Sequence, residues 1–124
     1  MNVTIMREYL RKAYKIIFTG QGRELYQIGK YPRYKDFTTD ILGFPFEAVD
    51  PPSFVAQYID LIERDAYKFK SDKKTPYIID CGVNIGLSVI SLKKNFPNAE
   101  IIGFEPDPTI YNLARKNIDI AGYS

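Results

Sequence analysis

The residues with the most chemical potential lie in the segment Asp80-Cys81-Gly82-Val83-Asn84-Ile85-Gly86, with Glu105 and Pro106 about 20 residues beyond it. Asp80 lies near the end of a short β-branched run, Tyr77–Cys81, that reads as a strand. Such a strand delivers the chain to the carboxyl edge of a parallel sheet, where open α/β sheets bind their ligands. Gly82 and Gly86 lack Cβ atoms, so the backbone can turn tightly and a ligand can approach it closely. Gly86 opens a helix, whose first N–H groups are unpaired and attract negative groups. Glu105 ends a second strand, where an acid can accept both hydroxyl hydrogens of a ribose. Pro106 can then lie flat against an adenine face. These features together predict a nucleoside-containing cofactor.

The frame of a dinucleotide-binding loop is G-x-G-x-x-G. Here its second glycine is Asn84 and its third is Leu87, whose bulk opposes the close helix–strand packing that the third glycine permits. Asp80 would also place a carboxylate where two phosphates would lie. It suits a cofactor with a cationic amino group, and S-adenosylmethionine has an ammonium, a sulfonium, a ribose and an adenine. Plainer roles exist for each residue alone. Asp80 could be a strand-end acid held by backbone N–H groups, Glu105 an exposed loop acid, and the two glycines parts of a turn. Cys81 reads as a small buried filler, because no adjacent base could activate it. Lys93 and Lys94 read as a solvated helix face.

The composition narrows the field further. The chain has 124 residues, 45% hydrophobic and 26% charged, which is the composition of one ordinary globular domain. Its net charge of +2 gives no global reason to bind nucleic acid. It has no histidine, the commonest general base and metal ligand, and no metal site is expected. A single cysteine rules out an internal disulfide and points to a reducing compartment, the cytoplasm. No stretch approaches the roughly 20 apolar residues of a membrane span.

The elements that must position these residues follow from pattern. Residues 3–18 read as a helix with Met6, Leu10, Ala13 and Ile17 on one face and Arg7, Arg11, Lys12 and Lys15 between them. The plain reading packs that face on the domain; the sharper one is a basic helix for a membrane surface or a partner. Residues 20–36 carry three glycines and a proline without a period, and read as a loop. A short hairpin follows, with Gly43 near its turn and Pro45 keeping the second strand at an edge. Asp50 or Ser53 can cap the next helix, which has Phe54, Tyr58, Leu61 and Ile62 on one face. After Pro76 come a strand, a helix over 87–96, a strand over Glu100–Phe104, and a helix that begins at Asp107 and Pro108 and stops at Gly122. This βαβα order implies parallel strands.

Residues 78–118, "IIDCGVNIGLSVISLKKNFPNAEIIGFEPDPTIYNLARKNI", resemble the cofactor-binding motifs of the FkbM family of S-adenosylmethionine-dependent methyltransferases. The D-x-G-x-N-x-G loop and the F-E-P-D segment are both present, and the upstream "DILG" and "ERDAYKF" segments resemble the lead-in of bacterial members. The resemblance covers roughly residues 38–121. It implies an α/β, Rossmann-like seven-stranded methyltransferase fold. Residues 77–124 would supply its first βαβα half, an incomplete N-terminal part, and residues 1–76 a lead-in of a helix and a small hairpin. It also implies O-methylation of a hydroxyl on a sugar, other glycan or secondary metabolite. By position, Asp80, Gly82, Asn84 and Gly86 match the family's loop around the methionine part, and Glu105 its ribose-binding acid. Asp107 matches the acid after F-E-P, a residue that also suits a helix N-cap. Tyr67 sits where the lead-in commonly approaches the cofactor. Further strands are expected beyond Ser124, so the acceptor site and the proton-accepting base fall outside this stretch. The isolated fragment is expected to be inactive and to self-associate through an exposed strand edge. A different class of reading is a non-catalytic βαβ module that binds a nucleotide or a partner.

Overall fold

The computed structural model describes residues 3–123 and is a mixed α/β structure with two small sheets. In chain order the elements are α1 (Val3–Phe18), α2 (Gly20–Ile28), β1 (Phe37–Thr39), β2 (Phe46–Ala48), α3 (Pro51–Tyr58), β3 (Tyr77–Cys81), α4 (Leu87–Asn95), β4 (Glu100–Phe104) and α5 (Pro108–Ile120). A π-helical turn over Ile59–Glu63 continues α3. β1 and β2 pair antiparallel, with Phe37 opposite Ala48. β3 and β4 pair parallel, with Asp80 opposite Gly103 and Cys81 opposite Phe104. The βαβα order expected after Pro76 is therefore present.

Local chemistry accounts for the element ends. The Asp107 carboxylate accepts hydrogen bonds from the Thr109 and Ile110 N–H groups, and Pro108 occupies the first helical turn of α5. Gly43, in the left-handed region, closes the β1–β2 turn by donating its N–H to the Asp40 carbonyl. α4 buries Leu87 through Leu92 without a break, while its last turn, with Lys94, is open to solvent. The main core joins Phe46, Phe54, Tyr58 and Leu61 from the first part of the chain to Ile85, Leu87 and Ile90 from the second. Phe54 is its centre, in ring contact with Phe37, Phe46 and Tyr58.

Four sequence expectations are corrected by the structure. Residues 20–28 are a helix and not a loop. Thr19 caps it by accepting the Gly22 N–H at 2.9 Å, and Leu25 and Ile28 are buried. Its glycines hid it. Gly22 is required because a Cβ there would lie 2.2 Å from the Lys15 carbonyl oxygen, so α2 can press directly on α1.

Asp50 stands at the N-cap position of α3, yet its carboxylate caps no backbone N–H of the helix. Instead it accepts a two-nitrogen grip from Arg33, the Tyr34 N–H and the Ser53 hydroxyl, which ties the segment after α2 to the start of α3. The Arg33 bonds, then the Ser53 bond, hold the Asp50 carboxyl down from 3.8 to about 2. A carboxyl lowered on folding stabilises the fold above its unfolded value and loses that contribution as pH falls through its folded value. The melting-temperature gap between the wild type and Asp50→Asn is therefore expected to be full above about pH 5 and to close towards pH 2. A gap independent of pH in thermal melts would count against this role.

α1 has the expected bounds but the opposite orientation. None of its residues is buried, and the Met6–Leu10–Ala13–Ile17 face points to solvent. Its polar side meets the body through Lys15 to Glu63 at 2.8 Å and Glu8 to Arg64 at 3.8 Å. The tight Gly22–Lys15 contact fixes that side inward.

One face of the β3–β4 sheet is also uncovered. Ile79 and Phe104 are 60% and 57% exposed, in the same layer as Tyr77 and Ile102. Cys81 shares this face and is exposed, so it is not the buried filler expected from sequence. The strand alternation carries it there, since Ile78 and Asp80 take the covered side.

Candidate functional site at the strand ends

The 82–86 loop leaves β3 and is stitched at once to β4. The Phe104 carbonyl accepts both the Gly82 N–H at 2.8 Å and the Val83 N–H at 3.0 Å. Gly82, Asn84 and Gly86 all have positive φ, at 103°, 48° and 92°. Asparagine tolerates this region better than other side chains, so Asn84 has a backbone reason for its place.

The two glycines have different roles. A Cβ on Gly82 would meet nothing within 4 Å, so its open side can admit a ligand. A Cβ on Gly86 would lie 3.1 Å from the Ala114 carbonyl and from the Ile118 side chain. The room at Gly86 is taken by α5 and serves packing.

Two carboxylates flank the loop. Asp80, on the covered side of β3, accepts the Ser88 hydroxyl at 2.6 Å from the first turn of α4. Glu105 accepts the Asn84 N–H on one oxygen at 3.0 Å and the Asp107 N–H on the other at 3.1 Å. Each Glu105 oxygen keeps a second lone pair for a further donor. Pro106 follows and is exposed.

A cleft of about 370 Å³ opens beside the loop. Gly82, Val83, Asn84 and Ser88 form one wall, and Asp60 and Tyr67 belong to the other. Its volume falls within the range of small-molecule sites. The cleft brings Tyr67 together with Gly82 and Asn84. Asp80 borders it through Ser88 and Glu105 through Asn84, while Gly86 faces away. The π-helical turn shapes the Tyr67 side: Ser91 donates its hydroxyl to the Leu61 carbonyl at 2.8 Å, and Asp65 adopts a positive φ of 51° just before Tyr67.

Three supporting residues were not among the site residues expected from sequence. Ser88 orients Asp80. Gly103 lets Val83 lie against β4, since a Cβ there would meet Val83 Cγ1 at 2.4 Å; a lone glycine inside an apolar strand is the signal for such an approach. Asn117 is fully buried beneath the loop. Its amide donates to the Ile85 and Glu47 carbonyls at 2.9 Å each and accepts the Glu47 N–H at 3.0 Å. In sequence it was visible only as an amide in the apolar lane of a helix.

A parallel βαβα unit with a glycine-bearing loop at the carboxyl ends of its strands is the arrangement in which open α/β proteins hold small-molecule ligands. The chain is similar to two fungal proteins named as methyltransferases. One is methyltransferase sdnD of Sordaria araneosa, 33% identical over 61 residues, which are 49% of this chain and 24% of that protein. The other is methyltransferase 1 of Beauveria bassiana, 31% identical over 48 residues, which are 39% of this chain and 19% of that protein. The matches thus span about a quarter or less of these relatives' length. No family model matches the chain, and no solved structure does.

Proposed function

We propose that this chain is the cofactor-binding N-terminal part of an S-adenosylmethionine-dependent methyltransferase of the FkbM type, acting on a hydroxyl of a sugar, other glycan or secondary metabolite. The observation that carries the reading is the link between Glu105 and the loop. Its carboxylate holds the N–H of Asn84, which lines the cleft that Gly82 leaves open, and keeps lone pairs free. That donor set fits the cofactor. Glu105 accepts the ribose hydroxyls, Pro106 lies against the adenine, and Asp80, held by Ser88, faces the ammonium. Gly82 gives backbone approach, and Tyr67 covers the cleft from the opposite wall. The bound cofactor supplies a methyl group on a sulfonium. What this chain contributes is positioning, which for an in-line displacement is a large share of the catalysis.

Calorimetric titration of the protein is expected to show binding of S-adenosylmethionine and of its demethylated product, and none of NAD. NAD binding without adenosylmethionine binding would overturn the assignment. Binding of adenosylmethionine without transfer, in a protein that also carries the acceptor part, would assign the chain to the non-catalytic class.

A further inference from the structure

α1 is held in place by its polar side and presents its apolar side to water. This is the reverse of an ordinary surface helix, whose apolar stripe faces the core. At 3.6 residues per turn, Met6, Leu10, Ala13 and Ile17 stack along one line. Tyr9 flanks that line on one edge, and Tyr14 and Val3 flank it on the other. Leu10 is 64% exposed and Ile17 58%. Tyr14 and Phe18 are in ring contact at 4.8 Å, so the far edge is itself a small aromatic surface. Leaving so many large apolar groups in water has a cost that an occupant would remove.

The charges indicate which occupant. α1 carries Arg7, Arg11, Lys12 and Lys15 against the single acid Glu8. Lys15 and Glu8 are neutralised by Glu63 and Arg64. Arg7, Arg11 and Lys12 form no salt bridge among the described residues. The net charge of α1 is +3, four cations less one acid, against +2 for the whole chain, so the rest of the chain sums to −1. Arg7 lies beside the Tyr14 edge, and the exposed Arg11 and Lys12 lie further round on the two sides of the helix, where they also line the groove against α2. A second copy docked face to face would bring basic flanks against basic flanks. An anionic lipid surface meets both features: apolar side chains enter the acyl boundary, tyrosines sit at headgroup level, and the basic flanks meet the lipid charge. None of the described helices is long and apolar enough to cross a membrane, so the helix would lie in the surface plane.

We propose that α1 is an in-plane anchor that binds the chain to anionic lipid membranes, independently of the methyl-transfer reading. The test is co-sedimentation of the protein with vesicles of phosphatidylcholine, with and without phosphatidylglycerol. Binding is expected to the anionic vesicles and to weaken several-fold as salt is raised. The pair Leu10→Glu and Ile17→Glu is expected to reduce binding at least about tenfold while circular dichroism stays unchanged. Arg7→Glu with Arg11→Glu is expected to remove the preference for phosphatidylglycerol. Ile102→Glu, on the exposed sheet face, is expected to leave vesicle binding intact; loss of binding in that variant would move the contact to the sheet and overturn the proposal. Absence of binding to anionic vesicles, or equal binding by the Leu10/Ile17 variant, would overturn it too. So would a concentration-dependent dimer that Leu10→Glu dissociates, since that would assign the face to a second copy.

Discussion

Replacing Asn117 with leucine is expected to lower the unfolding free energy by about 3–5 kcal/mol, although the two side chains are close in size. Asn117 satisfies three backbone groups at once: the Ile85 and Glu47 carbonyls and the Glu47 N–H. Leucine would leave all three without a partner next to a fully buried position. Each unmade buried hydrogen bond costs about 1–3 kcal/mol, and a leucine gains little because the site is already packed. The loss is large against the roughly 5–15 kcal/mol that holds a typical domain. It also has a location. Glu47 belongs to β2 and Ile85 to the 82–86 loop, so the amide fastens the hairpin and the loop to α5. Urea unfolding of the two proteins checks this. An unchanged midpoint would mean that the three groups find other partners.

Glu105→Ala is expected to weaken S-adenosylmethionine binding at least about tenfold, with the fold retained. Two losses act together. In the proposed site the ribose loses charge-assisted hydrogen bonds, each worth about 1.5–3 kcal/mol. The Asn84 and Asp107 N–H groups lose their acceptor, so the loop is less firmly set before the ligand arrives. Stability changes less, because the rim position lets water replace those partners. Glu105→Gln separates the two effects. Its single carbonyl oxygen can keep one loop contact, while the charge is gone, so its affinity should fall between those of the wild type and the alanine variant. Calorimetry on the three proteins decides the matter; equal affinities would reduce Glu105 to a loop brace.

The second half of the chain was legible from sequence because its signals are local. Tyr77–Cys81 and Glu100–Phe104 are short apolar runs, and Asp107 with Pro108 marks a helix start. Tyr67 and Gly82 line one cleft although 15 residues separate them in sequence. What escaped depends on contacts distant in sequence. α2 was hidden because Gly20 and Gly22 carry low helix propensity, while Gly22 is there for the backbone of α1. The face of α1 was legible but its direction was not, since an amphipathic stripe does not say whether the apolar side turns in or out. Asn117 and Ser88 act through partners on other elements, and no spacing rule links residue 117 to residue 47. Cys81 was misplaced for a simpler reason. Alternation fixes which residues share a sheet face, but not which face is covered.

That exposed thiol gives the molecule a built-in reporter position. Cys81 is the sole cysteine of the chain, stands free of any disulfide, and adjoins Gly82 at the lip of the cleft. A maleimide fluorophore can therefore be attached at one defined atom without altering the sequence. The dye would sit on the uncovered face of β3, next to Asp80 on the opposite face, where its emission can follow ligand arrival at the strand ends in real time. With no tryptophan in the chain, intrinsic emission comes from tyrosine, which leaves the visible spectrum to that single label.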